Sequence, residues 1–395
     1  MTHLAAAAHP ALARQQAQAD EFVAVRHDIH RHPELGFEEL RTSELVAERL
    51  AAWGYEVHRG LGGTGVVGRL RHGDGAKCIG LRADMDALPI VEATGLAYAS
   101  RHHGKMHACG HDGHTATLLA AARHLAQTRR FNGTLNLIFQ PAEEGAGGAR
   151  RMVEDGLFER FPCDAIFALH NAPGQPVGTL GFRSGASLAS ADRVVIELRG
   201  KGGHAAMPHF SSDPIVAGAA VVMALQSIVA RNVDPLASAV VTVGLFQSGT
   251  VNNVIPSTAR LELSVRALDR EVRKLLRQRI VDIATAQATS LGVVADIDYQ
   301  EGYPVLVNTD AETAFAAQVA TELLGPQRVL LDRPAVMGSE DFAFMLEHRP
   351  GCYLFLGNGD GAGSCMVHNP GYDFNDAAMA TGAAYWSLLV QRYLV

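Results

Sequence analysis

Charge is scarce in this chain of 395 residues: Asp, Glu, Lys and Arg make up 19%, below the usual quarter. The net charge is −7, so no nucleic acid or acidic membrane surface is expected as a partner. Long apolar runs are missing too. The longest candidate, residues 215–230, is interrupted by Gln226 and Ser227 and falls short of the roughly 18 residues a membrane span needs. The N-terminal stretch MTHLAAAAHPALARQQ has no cationic segment and only a short Ala tract, so no signal peptide and a cytoplasmic location are expected. Cysteine is sparse and odd in number: Cys78, Cys109, Cys163, Cys352 and Cys365. That excludes a disulfide scaffold and reads as reduced thiols, four of them small buried hydrophobes. There is no CxxC…CxxC, no HExxH, no GxSxG elbow and no P-loop. Residues 60–65 satisfy GxGxxG, yet they precede a strand instead of opening a helix, which makes them a Gly-rich turn.

What is present is a 48% hydrophobic chain with 40 glycines, long enough for two or three domains. Residues 20–53 carry a helical period that stops at Gly54. Apolar runs at 65–70, 78–82, 134–139 and 164–169 alternate with a helical stretch at 114–128, which predicts a mostly parallel α/β sheet. Residues 190–300 read differently: strands at 193–199, 239–245, 260–265 and 293–299 with helices at 213–230 and 269–290. That β-α-β-β-α-β order predicts a ferredoxin-like α+β unit. Helices at 312–324 and 376–394 then resume the α/β pattern. The expected organisation is a catalytic α/β domain in two segments, 1–188 and 302–395, around an inserted domain at 189–301.

Histidine is the abundant residue, 18 in all. Five fall within the 13 residues from His102 to His114, HHGKMHACGHDGH, beside Cys109 and Asp112. Cys109 and His111 can face one ion across Gly110, or the stretch can be a polar surface loop. Glu143 and Glu144 follow an apolar strand: one can ligate a metal while its neighbour reaches a water, or both can sit in a solvated turn. Asp84 and Asp86 share a face at another strand end, or cap a turn. His170 and His368, each taken alone, read as core or loop histidines. Because Asp84, Asp86, Glu143, Glu144 and His170 all stand at strand ends of one sheet, where α/β ligands bind, they point together to a joint metal site.

Several segments resemble the M20 metallopeptidase family, in its amidohydrolase branch of hippurate hydrolases, N-acyl-amino-acid amidohydrolases and auxin-conjugate hydrolases. They are RHDIH…PELG from Arg26, LRADMDALP from Leu81, MHACGHDGH from Met106, FQPAEEG from Phe139, GGHAAMPH from Gly202, NVIP from Asn253, SEDF from Ser339 and MVHNP from Met366. The resemblance implies two divalent metal ions (Mn, Zn, Co or Ni) held by Cys109, His111, Glu144, His170 and His368. It implies Glu143 as general base and Asp86 as the carboxylate that orients a ligand, with Asp84 standing where relatives carry a His. It makes the inserted domain a lid and dimerisation domain, with His204, Asn253 and Arg266 on the substrate. Read alone, His204 is a turn residue and Arg266 a strand-surface cation. The implied activity is hydrolysis of an N-acyl or N-aroyl amino acid, hippurate-like, by a homodimer or homotetramer. A metal-dependent dipeptidase or carboxypeptidase is the alternative, and a non-catalytic metal-binding protein the competitor of another class.

Overall fold

The computed structural model describes residues 9–360 and 365–395; the Ala tract read as lacking a signal lies largely outside them. The chain forms two compact units. One comprises residues up to Gly185, Val307–Pro334 and Phe344–Val395; the other comprises Ala186–Leu306 and Ala335–Ala343. The stretch Ala335–Ala343, expected with the catalytic domain's second segment, thus groups with the inserted one.

The first unit is built on an eight-stranded sheet among the described residues. Its strands are β1 (Glu56–Leu61), β2 (Gly65–His72), β3 (Cys78–Asp84), β4 (Gly133–Gln140), β5 (Ala165–Pro173), β6 (Leu180–Gly181), β11 (Val329–Leu330) and β12 (Gly351–Gly359). They lie in the order β1-β2-β4-β3-β5-β12-β6-β11. The central run β4-β3-β5-β12 is parallel, and antiparallel pairs flank it. β4 is buried at every position, as a strand covered on both faces must be; its polar Asn136 and Gln140 are hydrogen-bonded, to the Pro162 carbonyl and to Arg82. Helices α1 (Ala19–Arg31), α2 (Leu40–Ala52), α3 (His111–Thr128), α6 (Asp310–Leu324) and α7 (Asp376–Tyr393) belong to this unit.

Two expectations change here. The period over residues 20–53 is split into α1 and α2, because Pro33 disfavours helix at His32 and Phe37 turns left-handed at φ 65. His170 lies inside β5 and not past its end, since β5 continues in register with β12, His170 opposite Phe355 and Ala172 opposite Gly357.

The second unit has strands β7 (Ser190–Arg199), β8 (Ala239–Ser248), β9 (Thr258–Ala267) and β10 (Val294–Tyr303), with helices α4 (Pro214–Arg231) and α5 (Arg270–Ser290). The sheet order β8-β9-β7-β10 is antiparallel throughout, the ferredoxin-like arrangement. Asp213 and Asp269 cap the two helices by accepting the backbone N–H groups at their first turns. Contrary to the expectation of no sufficient apolar run, α4 has 18 residues of mean hydropathy 1.6, enough by length and composition for a span. Gln226 and Ser227 do not interrupt it, because their side chains donate back to the carbonyls of Val222 and Ala224. Ala217, Val221, Leu225 and Ile228 on its inner face join the unit's core.

Candidate metal centre

The loop before α3 places the first of the expected ligands, Cys109 and His111. Gly110 precedes the helix at φ 95, a left-handed conformation natural to glycine. A Cβ there would come within 2.4 Å of the Asn171 amide and 2.6 Å of the Tyr372 hydroxyl. The turn leaves Cys109 on one side and His111, the first helical residue, on the other. Asn171 fixes it by donating its Nδ2 to the Cys109 carbonyl at 2.6 Å, while Tyr372 donates to Asn171 Oδ1 at 2.6 Å.

Around this turn the expected residues of the first unit converge. Cys109 Sγ is 3.3 Å from His170 Nε2, and His368 Nε2 is 3.2 Å from Glu144 Oε1. Donor atoms of Cys109, His111 and His170 lie within 4.8 Å of one another, as do those of Cys109, Glu144 and His368, and those of His111, Glu143 and Glu144. Cys109, His111 and Glu144 each belong to two of these groups, so the donor set has the composition of two adjacent cation positions. Glu143 is buried beside them. His368 is held at φ 66, and its N–H donates to the Ala108 carbonyl at 2.7 Å.

His170 and His111 are each tied through Nδ1, with Nε2 left toward the cluster. His170 Nδ1 bonds the Asn171 carbonyl at 2.7 Å, which makes Nδ1 the donor and leaves the Nε2 lone pair toward Cys109. His111 Nδ1 lies 3.2 Å from Asp86 Oδ1, and its buried Nε2 has no hydrogen-bond partner among the described residues. An imidazole tied through one nitrogen to a carboxylate or carbonyl, with the other nitrogen turned inward, is the usual arrangement behind a metal. Asp86 Oδ2 also accepts the Glu144 N–H at 2.9 Å, so one carboxylate positions two of the expected ligands.

The electrostatics fit a cation. Burial keeps the His170 proton affinity well below the ordinary range, hence a neutral ring. Burial, reinforced by Glu144, pushes the Cys109 thiol well up; a thiolate here requires a positive ion beside it. Burial opposes a proton on His111, but Asp84, Cys109 and Asp86 outweigh it and raise its affinity. Those negative surroundings would hold a divalent ion equally well.

Asp84 is wholly buried between Arg82, at 2.7 Å, and His114 Nδ1, at 2.6 Å. His114 Nε2 in turn accepts the Asn171 N–H at 3.0 Å, so both of its nitrogens are engaged and it braces the loop. His107 is buried with neither ring nitrogen hydrogen-bonded among the described residues, and burial lowers its affinity for a proton to about 4.

Sequence reading missed a second tier. Asp112, next to His111, accepts from Arg26 Nη1 at 3.0 Å and from His30 Nδ1 at 2.8 Å, and Arg26 also binds Asp373 at 3.0 Å and Asp376 at 2.5 Å. Only the residue types of RHDIH and GHD hinted at this, since partners so distant in sequence leave no local pattern. Glu39, Thr64 and Asn171 gave no signal beyond adjacency to a motif. Ala142, before Glu143, holds φ 53; a non-glycine residue there costs on the order of 1–2 kcal/mol.

In the second unit, His204 pairs with Val254, and the Asn253 carbonyl accepts the Ala205 N–H at 3.1 Å. His204 and Asn253 line one cavity of about 870 Å³ with Arg260 and Glu197. Arg266 lies at the far end of β9, where its Nη1 donates to Ser339 at 3.0 Å.

Residues 80–392 match peptidase family M20/M25/M40. The chain is 48% identical over 374 residues to the hippurate hydrolase of Campylobacter jejuni, covering 95% of this chain and 97% of that one. It is 39% identical to the N-acetyl-L-cysteine deacetylase of Bacillus subtilis (95% and 88% covered). To the IAA-amino acid hydrolase ILR1-like 5 of Arabidopsis thaliana it is 40% identical (97% and 89%). Among solved structures, a dinuclear metal binding peptidase of the M20 family from Bacillus subtilis superposes with a TM-score of 0.84 at 33% identity, covering 96% of this chain and 99% of that one. The chain therefore belongs to peptidase family M20/M25/M40, among its amidohydrolases.

Proposed function

We propose that this protein hydrolyses the amide of an N-acyl or N-aroyl amino acid, hippurate-like, using two divalent metal ions. Cys109, His111, Glu144, His170 and His368 would hold them. The observation that carries this reading is the convergence of those five side chains, with the Nε2 lone pairs of His111 and His170 turned inward beside a buried thiol. The hippurate hydrolase and N-acyl deacetylase relatives support the substrate class.

When bound, the two ions acidify a water and polarise the amide carbonyl. Glu143 accepts the proton of the attacking water as its oxygen bonds to the carbonyl carbon. It then delivers that proton to the leaving nitrogen as the C–N bond breaks, giving a carboxylic acid and a free amino acid. Asp86 keeps His111 and the Glu144 backbone in place. To the second unit we assign substrate recognition. Arg266 suits the substrate's carboxylate, while His204 and Asn253, which share a cavity that Arg266 does not line, would reach the substrate from a second copy of the chain, His204 at the developing oxyanion. Its exposed apolar residues, Val216 and Met223 on α4 and Phe246 on β8, support a homodimer or homotetramer through this unit. A reducing, cytoplasmic setting suits a site that depends on the Cys109 thiolate.

The experiment strips the protein with a chelator and reloads it with Mn, Zn, Co or Ni. Activity is then assayed on hippurate, N-acetyl-cysteine and other N-acyl amino acids beside a dipeptide panel. Turnover of N-acyl amino acids only after reloading is expected. Glu143→Ala should keep its metal and lose hydrolysis, and Cys109→Ala should lose metal. Turnover of dipeptides alone would replace this reading with a dipeptidase. Metal uptake without turnover of anything would leave a binding protein.

A further inference from the structure

Glu39 lies outside the metal centre's motifs, yet its carboxylate is wholly buried in the same unit. Its Oε1 accepts the backbone N–H of Ala142 at 2.8 Å, and its Oε2 accepts the Thr64 hydroxyl at 2.6 Å. Ala142 directly precedes Glu143. Its left-handed turn is closed by the Gly148 N–H, which donates to the Ala142 carbonyl at 3.0 Å. Two residues on, the Glu144 N–H is held by Asp86 at 2.9 Å. Glu143 is therefore carried on a short backbone segment anchored at both sides by carboxylates from remote parts of the chain. Space around it is tight as well, since a Cβ at Gly36 would come within 3.0 Å of the Ala142 Cβ. Burial raises the Glu39 proton affinity to about 7, against the bonds from Thr64 and Ala142 that lower it. A carboxyl group so placed opposes folding unless those bonds are made.

We propose that Glu39 is a positioning residue for the hydrolysis: through the Ala142 N–H it fixes the left-handed turn that aims the Glu143 carboxylate. The inference rests on the reading of Glu143 as the general base. It depends on reach and not on charge. An amide oxygen at the same distance can accept the Ala142 N–H, whereas a carboxylate one methylene shorter cannot.

The test compares Glu39→Gln and Glu39→Asp in metal-loaded protein, on the best substrate of the panel, with kcat expressed per metal-loaded site. Glu39→Gln should stay within about threefold of the natural protein. Glu39→Asp should lose about ten- to a hundredfold in kcat, the scale of a small misplacement of a catalytic group, with KM and metal content little changed. A purely structural role would instead lower the folded or metal-loaded fraction and leave kcat per loaded site alone. Wild-type kcat in Glu39→Asp, or Glu39→Gln as slow as Glu39→Asp, overturns the proposal. If Glu39→Asp does not fold, Thr64→Val frees the same carboxylate from its hydroxyl anchor. It should slow kcat several-fold at constant KM, and wild-type kcat there overturns the proposal equally. Glu143→Gln in the same assay separates the two readings. If it is active, the base assignment fails; if it is inert while Glu39→Asp is unimpaired, only the role of Glu39 fails.

Discussion

Replacing Arg26 with Met tests whether the metal loop is braced from behind. Arg26 has no solvent exposure; its Nη1 donates to Asp112 and Asp373 and its Nε to Asp376. Met keeps the unbranched apolar stem but donates nothing. Asp373 and Asp376 are 28% and 31% exposed, so water takes over much of what they lose. Asp112 is wholly buried and, among the described residues, retains only His30 as a side-chain partner. One stranded buried carboxylate places the loss near the lower end of the 3–5 kcal/mol for breaking a buried pair, at about 3 kcal/mol. Both tryptophans, Trp53 and Trp386, belong to the same unit as Arg26, so their fluorescence during urea unfolding reports that unit alone. With a slope of about 3 kcal/mol per molar, the midpoint should fall by about 1 M. Arg26→Lys should recover part of this, one ammonium replacing a fork that reaches three acids. A midpoint moved by less than about 0.3 M, equivalent to under about 1 kcal/mol, would show the clamp to be idle and refute the argument.

The same clamp predicts a pH effect. Although burial opposes its protonation, Asp112 raises the His30 pKa from 6.5 to about 9. The folded state therefore binds that proton more tightly. The resulting stability, about 3 kcal/mol, is fully present below pH 6.5 and is lost as pH rises through 9. Chemical denaturation at stepped pH should show this slope in the natural protein and lose it in His30→Gln; an unchanged slope in the variant refutes the assignment. Gly110→Ala should cost about 3 kcal/mol, from the left-handed backbone and the displaced Asn171 and Tyr372, and should reduce bound metal measured by elemental analysis. Full metal content in a folded Gly110→Ala protein would contradict the packing described.

Much of this molecule could be read locally. Strand alternation and two helical stretches announced the second unit, because each of those signals lies within a few neighbouring residues. The ligand loop was equally open, since Cys109, His111 and the glycine between them are contiguous. Pairings across the sequence were not. Nothing near Asp112 says that it meets a residue 86 positions earlier, and nothing near Glu39 says that it meets Ala142. Asp84 read as a departure from a pattern in which a His stands; its burial between Arg82 and His114 shows a residue that braces the loop. The split of α1 from α2 was signalled by Pro33, but the helical period on either side masked it. His170 looked like a strand terminus because the apolar run stops there, while the backbone pairing with β12 continues.

The Arg26–Asp376 bond joins residues 350 apart. On a ribosome adding about 5–20 residues per second, the guanidinium waits about 20–70 s for its last acid to be made. During that interval α1, α3 and the Cys109 loop can exist as nascent chain with the clamp still open, and His368 is likewise one of the late arrivals. The centre therefore assembles only once His368 and Asp376 have been made, and a chain stalled before Asp376 would carry the expected ligands without the clamp that braces them.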